Sequence, residues 1–256
     1  SWNAMLQCIS VDGEFYEGAE TKMFPPEWLN ASEIAAISLR GKQRRAKVIG
    51  VDSAEGGDNT CWCVIDEYGV IDLISKKTHD TSVITGETLA LMRRYNVAAE
   101  NVLFDRGGGG LQHADRLRSQ GFNVRTVGFG EAATPERKRG LTKLETKKQQ
   151  DEIRYAYKNR RAEMYFLIRL KLSPDNILGF GLPAKFPALR QQLSPIPYLL
   201  DGEGKIVLAP KYKKDRDSNQ VTLTELIGHS PDEADALALA VYGLVRKVKR
   251  NVAGVI

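Results

Sequence analysis

Three groups of acids could do chemistry here, and each sits at the edge of an apolar run. Val48-Ile-Gly-Val ends in Asp52, Val102-Leu-Phe ends in Asp105, and Asp232, Glu233 and Asp235 open the apolar stretch 236–245. Carboxylates at the ends of neighbouring strands project at a sheet edge, where α/β folds place their sites. Taken singly, each strand-end Asp is also an ordinary turn cap. Asp232 and Asp235, three residues apart on a helix, lie about 60° from one another, on nearly the same face. Ser230 suits the N-cap, Pro231 the first helical position, and Ser230-x-x-Glu233 reads as a capping box. Asp232 would favour the positive end of the helix dipole. Asp235 is then left over, and burying it unpaired is costly, so an Arg, a Lys or a metal is expected beside it. Convergent carboxylates repel unless hard cations neutralise them. Mg²⁺ or Mn²⁺ suits oxygen donors, and a pair of such ions about 4 Å apart catalyses phosphodiester hydrolysis.

The elements that must position these acids alternate. Short apolar runs at 46–52, 60–65 and 70–75 predict three strands, the last two joined by a turn at Asp66-Glu-Tyr-Gly69. A helix is expected over 82–95, a strand over 101–105, a helix over 111–119 closed by Gly121, and a strand over 123–127. The order β-β-β-α-β-α-β predicts an antiparallel meander followed by parallel α/β units. Further helices are expected over 33–39, 153–172 and 186–193, and a strand over 205–208. Residues 1–43 read as a linker or the remnant of a preceding domain, and 44–256 as the main domain. Ser1, in place of Met, suggests an excised piece of a longer chain.

Composition narrows the partners. A 42% hydrophobic, 27% charged chain is globular, and no run approaches the 18 apolar residues of a membrane span. Three cysteines give no disulfide framework, and with three histidines there is no zinc pattern, so a reducing cytoplasm is the default. The net charge is +5, and 134–161 alone holds ten Lys/Arg against four acids. A second patch, 205–216, holds five against one. Two such patches beside buried acids favour a polyanion. The run Gly107–Gly110 lacks the GxxxxGK[ST] spacing of a phosphate loop, and its glycines instead let backbone or substrate approach a crowded site.

The stretches VIGVDSAEGGDNT (48–60), VLFDRGGGGLQHADRLRSQGFNV (102–124), VGFGEAA (127–133), KNRRAEMYF (158–166) and SPDEADALALA (230–240) together resemble the C-terminal nuclease domain of tailed-phage large terminases. That family belongs to the ribonuclease H-like superfamily. The resemblance implies an α/β fold with a mixed central sheet flanked by helices. It implies an endonuclease that cleaves concatemeric viral DNA when packaging starts and ends, using two Mg²⁺ or Mn²⁺ ions. Asp52, Asp105 and Asp235 become metal ligands and Asp232 a fourth catalytic acid, with the more direct ligand of the last two left open. Asp58, just beyond Asp52, becomes a further metal-site residue holding a metal-bound water, or a turn cap. Lys211 faces the scissile phosphate or adds general charge. DNA contacts fall to Arg137, Lys138, Arg139, Lys143, Lys147, Lys148, Arg160, Lys211, Lys213 and Lys214. Implied partners are double-stranded DNA and, in the full-length protein, an N-terminal ATPase domain, the portal and the small terminase subunit. The implied location is the host-cell cytoplasm.

Three alternatives remain at this level. An actin-like ATP-binding protein shares the core, but the chain has no second copy of it and no adenosine motif. A non-catalytic DNA-binding module would use its acids in salt bridges. A resolvase or transposase shares the chemistry and differs in the DNA recognised.

Overall fold

A computed structural model describes residues 22–54, 56–78, 80–135, 156–213 and 221–246. Strands β1 (Val48–Asp52), β2 (Thr60–Asp66) and β3 (Gly69–Lys76) form the expected meander. After α1 (Pro26–Ser38), which precedes them, come α2 (Thr81–Tyr95), β4 (Val102–Asp105), α3 (Gly110–Ser119) and β5 (Arg125–Val127). β4 and β5 add in parallel beyond β1, giving the order β3-β2-β1-β4-β5. The remaining elements are α4 (Arg160–Leu172), α5 (Pro187–Leu193), the small hairpin β6 (Leu199–Leu200) and β7 (Ile206–Val207), α6 (Leu223–Ile227) and α7 (Asp232–Val245).

Alternation along the strands divides two cores. Ile49, Val51, Val102 and Phe104 face α2 and α3, meeting Ile84, Leu91, Ala114 and Leu117. Val48 and Leu103 face the other way, onto α4, α5 and α7. In this parallel pair Val51 sits beside Phe104, so the next residues, Asp52 and Asp105, emerge side by side on the α7 face.

The Ala-rich sequence of α7 is explained by how closely it lies on β1. A Cβ at Gly50 would stand 2.2 Å from the Ala236 carbonyl oxygen and 2.5 Å from the Ala240 nitrogen. One at Gly243 would stand 2.6 Å from Leu103 Cδ1. Ala236, Ala240 and Gly243 thus form the small-residue stripe that lets the helix backbone rest on the sheet.

Some boundaries differ from expectation. α1 begins at Pro26 rather than residue 33, because Met23, Phe24 and Leu29 enter the core. Arg169 of α4 clamps this segment, donating from Nη1 to the Lys22 carbonyl at 3.0 Å and lying 4.5 Å over the Trp28 ring. α4 starts only at Arg160, where the Asn159 side chain accepts the Ala162 N–H at 2.9 Å. The capping box expected at 230–233 does not form. The Ser230 hydroxyl donates to the Asp232 carboxylate instead, and Gln192 of α5 caps the helix, its Oε1 accepting the Ala234 N–H at 2.8 Å and its amide donating to Glu233. A buried amide from another helix satisfies both the free N–H and the Glu233 carboxylate, which removes the need for a local box.

Candidate active site

Asp52, Asp105, Asp232 and Asp58 line one open cleft of about 330 Å³, together with Ser53, Gly108, Lys211 and Tyr212. Asp52 and Asp105 come from the paired ends of β1 and β4, and Asp232 from the first turn of α7. Asp58 stands on the rim, where its Oδ2 accepts the Tyr212 hydroxyl at 3.0 Å. The glycine run after β4 makes this closeness possible. A Cβ at Gly108, which has φ +54°, would lie 2.3 Å from the Ser53 carbonyl oxygen, and one at Gly110 would lie 1.9 Å from that of Asp105. Ser53 Oγ in turn donates to the Gly108 carbonyl at 3.2 Å. The glycines therefore admit protein backbone, which is one of the two readings of the run.

The acids differ in what holds them. Burial raises the pKa of Asp52, and Asp235, Asp105 and Asp232 push it further up, while Lys211 partly offsets them. Burial and the charge of Asp235 also raise Asp105, against the backbone N–H groups of Gly107, Phe129 and Arg106. Asp232 is raised by burial although the Ser230 hydroxyl, the Asn59 N–H (3.0 Å) and Lys211 favour its charge. Buried, like-charged carboxylates at one place are costly in their ionised form, and a cation relieves that cost.

Asp235 has its cation. Arg161 Nη2 lies 2.8 Å from both carboxylate oxygens, the Tyr165 hydroxyl donates to Oδ1 at 2.6 Å, and Lys211 Nζ stands 3.5 Å from Oδ2. Lys211 is also 3.6 Å from Asp232 Oδ1. Burial opposes the Lys211 ammonium, but Asp235, Asp52 and Asp232 outweigh it and raise its pKa. Arg161 lies 5.2 Å from the Phe129 ring centroid and 5.7 Å from that of Tyr165, so its plane is boxed in. Asp235 is therefore electrostatically part of the site but is not among the residues lining the cleft.

The donors of the cleft are hard carboxylate oxygens, of the kind Mg²⁺ or Mn²⁺ takes, and Asp52, Asp105 and Asp232 are the residues that fit one. They are spread around the cleft with Lys211 as the cation among them. Among the described residues no three His, Cys, Asp or Glu side chains are already gathered as a metal cluster.

The expected DNA contacts fare unequally. Lys211 faces the cleft, and Lys213 is half-exposed and 3.0 Å from Glu225 Oε1. Arg160 is partly exposed and engaged within the fold: its guanidinium donates to the Ala132 carbonyl and the Tyr242 hydroxyl and lies 3.5 Å from the buried Glu163. It opens α4 between an exposed carbonyl, Ala132, and the buried Tyr242 and Glu163, and stays partly exposed. Arg137, Lys138, Arg139, Lys143, Lys147, Lys148 and Lys214 lie outside the described residues. Arg161, Tyr165, Gln192 and Tyr212 carry contacts that the sequence reading did not assign. Only the need of Asp235 for a cation signalled Arg161.

No protein-family model and no curated protein sequence matches the chain. Solved structures do. The nuclease domain of the large terminase subunit gp2 of bacterial virus Sf6 superposes with a TM-score of 0.59 at 20% identity, covering 86% of this chain and 98% of that one. A point variant of that domain, solved with manganese and β-thujaplicinol, gives 0.60 at 18% identity over the same shares. The chain has a ribonuclease H-like fold. The large terminase nuclease of thermophilic phage G20c, solved with bound magnesium, gives a TM-score of 0.50 at 18% identity, covering 88% of this chain and 98% of that one. In ribonuclease H-like terms, the strand-end acids Asp52 and Asp105 and the helix-start acid Asp232 occupy one side of the mixed sheet.

Proposed function

We propose that the protein is a metal-dependent endonuclease that hydrolyses phosphodiesters of double-stranded DNA. It serves as the nuclease part of a viral packaging motor that cuts concatemeric genomes when packaging starts and ends. The observation that carries this reading is that Asp52, Asp105 and Asp232 line one open cleft. Their oxygens suit Mg²⁺ or Mn²⁺, and a divalent cation would offset the burial, and the repulsion by Asp235, that raise the Asp52 pKa. The manganese and magnesium of the Sf6 and G20c domains agree with that donor set.

Asp52, Asp105 and Asp232 would hold the ions, with Asp58 at the outer edge and Asp235 behind. A pair of such ions supplies Lewis acidity to the attacking water and to the leaving 3′-oxygen. The residues of the chain do the rest. The tight contact of α7 on Gly50 fixes the spacing between Asp232 and the strand-end acids. The Gly107 and Phe129 N–H groups orient Asp105. Lys211 places positive charge where a scissile phosphate enters. Lys213 and the basic residues 137–148 extend the contact along the DNA backbone, so binding is to phosphate and weakly sequence-specific. In the full-length protein the ATPase domain, portal and small subunit would deliver the DNA, in the cytoplasm of the infected host.

Supercoiled plasmid incubated with Mn²⁺ or Mg²⁺ tests the reading. The wild type should nick and linearise it, and EDTA or Asp105→Ala should abolish cleavage. Cleavage that persists in EDTA refutes the metal mechanism.

A further inference from the structure

We propose that Asp235, Arg161 and Tyr165 form a buried positioning unit that steers the Lys211 ammonium into the cleft, and that Asp235 itself stays off the metal. Only the second half rests on the nuclease reading.

The Lys211 backbone is pinned from outside. Its carbonyl accepts the Thr224 hydroxyl at 2.6 Å, and the neighbouring Pro210 carbonyl accepts the Leu223 N–H at 2.8 Å. That leaves the direction of the side chain to be set, and two carboxylates set it. Asp232 is already engaged by the Asn59 N–H and the Ser230 hydroxyl. Asp235, only 1% exposed, is held on its far side by Arg161 and Tyr165, both from α4. Arg161 is wedged between the Phe129 and Tyr165 rings and cannot follow Asp235 outward. One fixed carboxylate is thus shared between an immobile guanidinium behind it and a mobile ammonium in front. Leaving these donors to join an ion in the cleft would strand Arg161 as an uncompensated buried charge. Asp232 carries no such obligation and already lines the cleft.

The test starts without metal. The full chain is treated with a lysine-acylating reagent and the modification of Lys211 is read by peptide mass spectrometry against Lys213 as internal reference. In wild type Lys211 should react more slowly than Lys213. Asp235→Asn should raise the Lys211 to Lys213 ratio on the order of tenfold, the loss of one close charge pair. Tyr165→Phe, which keeps the ring and removes one O–H donor, should raise it about threefold. An unchanged ratio in a folded Asp235→Asn protein overturns the positioning role, and Tyr165→Phe gives the same decision if Asp235→Asn does not fold. Calorimetric titration with Mn²⁺ then separates ligand from positioner. Asp235→Asn should still bind within about tenfold of wild type, while Asp232→Asn should lose binding. Loss in both variants alike overturns the claim that Asp235 stays off the metal. If the wild type binds no Mn²⁺, the nuclease reading fails, while the labelling ratio still decides the positioning role.

Discussion

Gly50→Ala probes the contact that brings α7 to the sheet. The added methyl would sit 2.2 Å from the Ala236 carbonyl oxygen, 2.5 Å from the Ala240 nitrogen and 3.0 Å from its Cα, all of them backbone atoms. No side chain can rotate to make room, so the helix must retreat by about 1 Å to restore ordinary contact distances. Overpacking of this kind costs about 1–3 kcal/mol, which for a domain of this size lowers Tm by roughly 2–12 °C. Ala236 follows Asp235 directly, so the retreat carries Asp232 away from Asp52 and Asp105. A misplacement of about 1 Å costs catalysis on the order of 100-fold. Urea denaturation, Mn²⁺ titration and plasmid cleavage measure the three consequences. Gly86→Ala is the control. That glycine lies mid-helix in α2 with nothing within 4 Å of its would-be Cβ, so alanine there should stabilise by about 0.5–1 kcal/mol. If Gly50→Ala matches the wild type in stability, metal affinity and cleavage, close helix packing does not set the site.

Arg161→Leu strands the buried Asp235 carboxylate and should destabilise the fold by about 3–5 kcal/mol, whereas the double variant Arg161→Leu/Asp235→Leu should regain most of that stability. Urea melts decide it, and a single-variant effect below about 1 kcal/mol contradicts the pairing. Burial and then Asp235 raise the pKa of Asp52 above its ordinary 3.8, so the stability this residue contributes is full below that value and falls as pH rises through the folded pKa. Metal-free Asp52→Asn should therefore become increasingly more stable than wild type as pH rises from about 4 to neutrality; a difference that stays flat with pH in paired urea melts counts against the raised pKa. DNA binding should weaken steeply with salt, and replacing Arg137, Lys138 and Arg139 by Ala should reduce the slope of log K against log salt by about 0.9 for each phosphate that is no longer neutralised. Equal slopes in fluorescence-anisotropy titrations would remove that segment from the interface.

The strands and their terminal acids were legible because buried β-runs are short, apolar and local, and because parallel pairing puts Asp52 and Asp105 at one edge. The apolar stretch of α7 was legible, but its backbone-close contact with the sheet, and Gly50 as the counterpart, come only from the structure. The start of α1 was hidden by its own residues. Ile34 and Ile37 are 67% and 55% exposed, so apolar periodicity centres on the solvent side of the helix, while Phe24 and Leu29 do the packing. The partners of Asp235 were beyond reach for a different reason. Arg161 and Tyr165 lie 74 and 70 residues away in sequence, and no local spacing links them to α7. The Gln192 cap, 42 residues from Ala234, escaped in the same way, and a plausible local box stood in its place. A tally of basic residues likewise gives no hint that the Arg160 guanidinium also bonds Ala132 and Tyr242.

Anomalous scattering from a crystal soaked in Mn²⁺ would locate any bound ions and show which carboxylates hold them. Manganese peaks are expected in the cleft bounded by Asp52, Asp105 and Asp232, with Asp235 still on Arg161 and Tyr165. A crystal that shows no peak there at saturating Mn²⁺, or manganese bound through Asp235 with Arg161 displaced, contradicts this assignment.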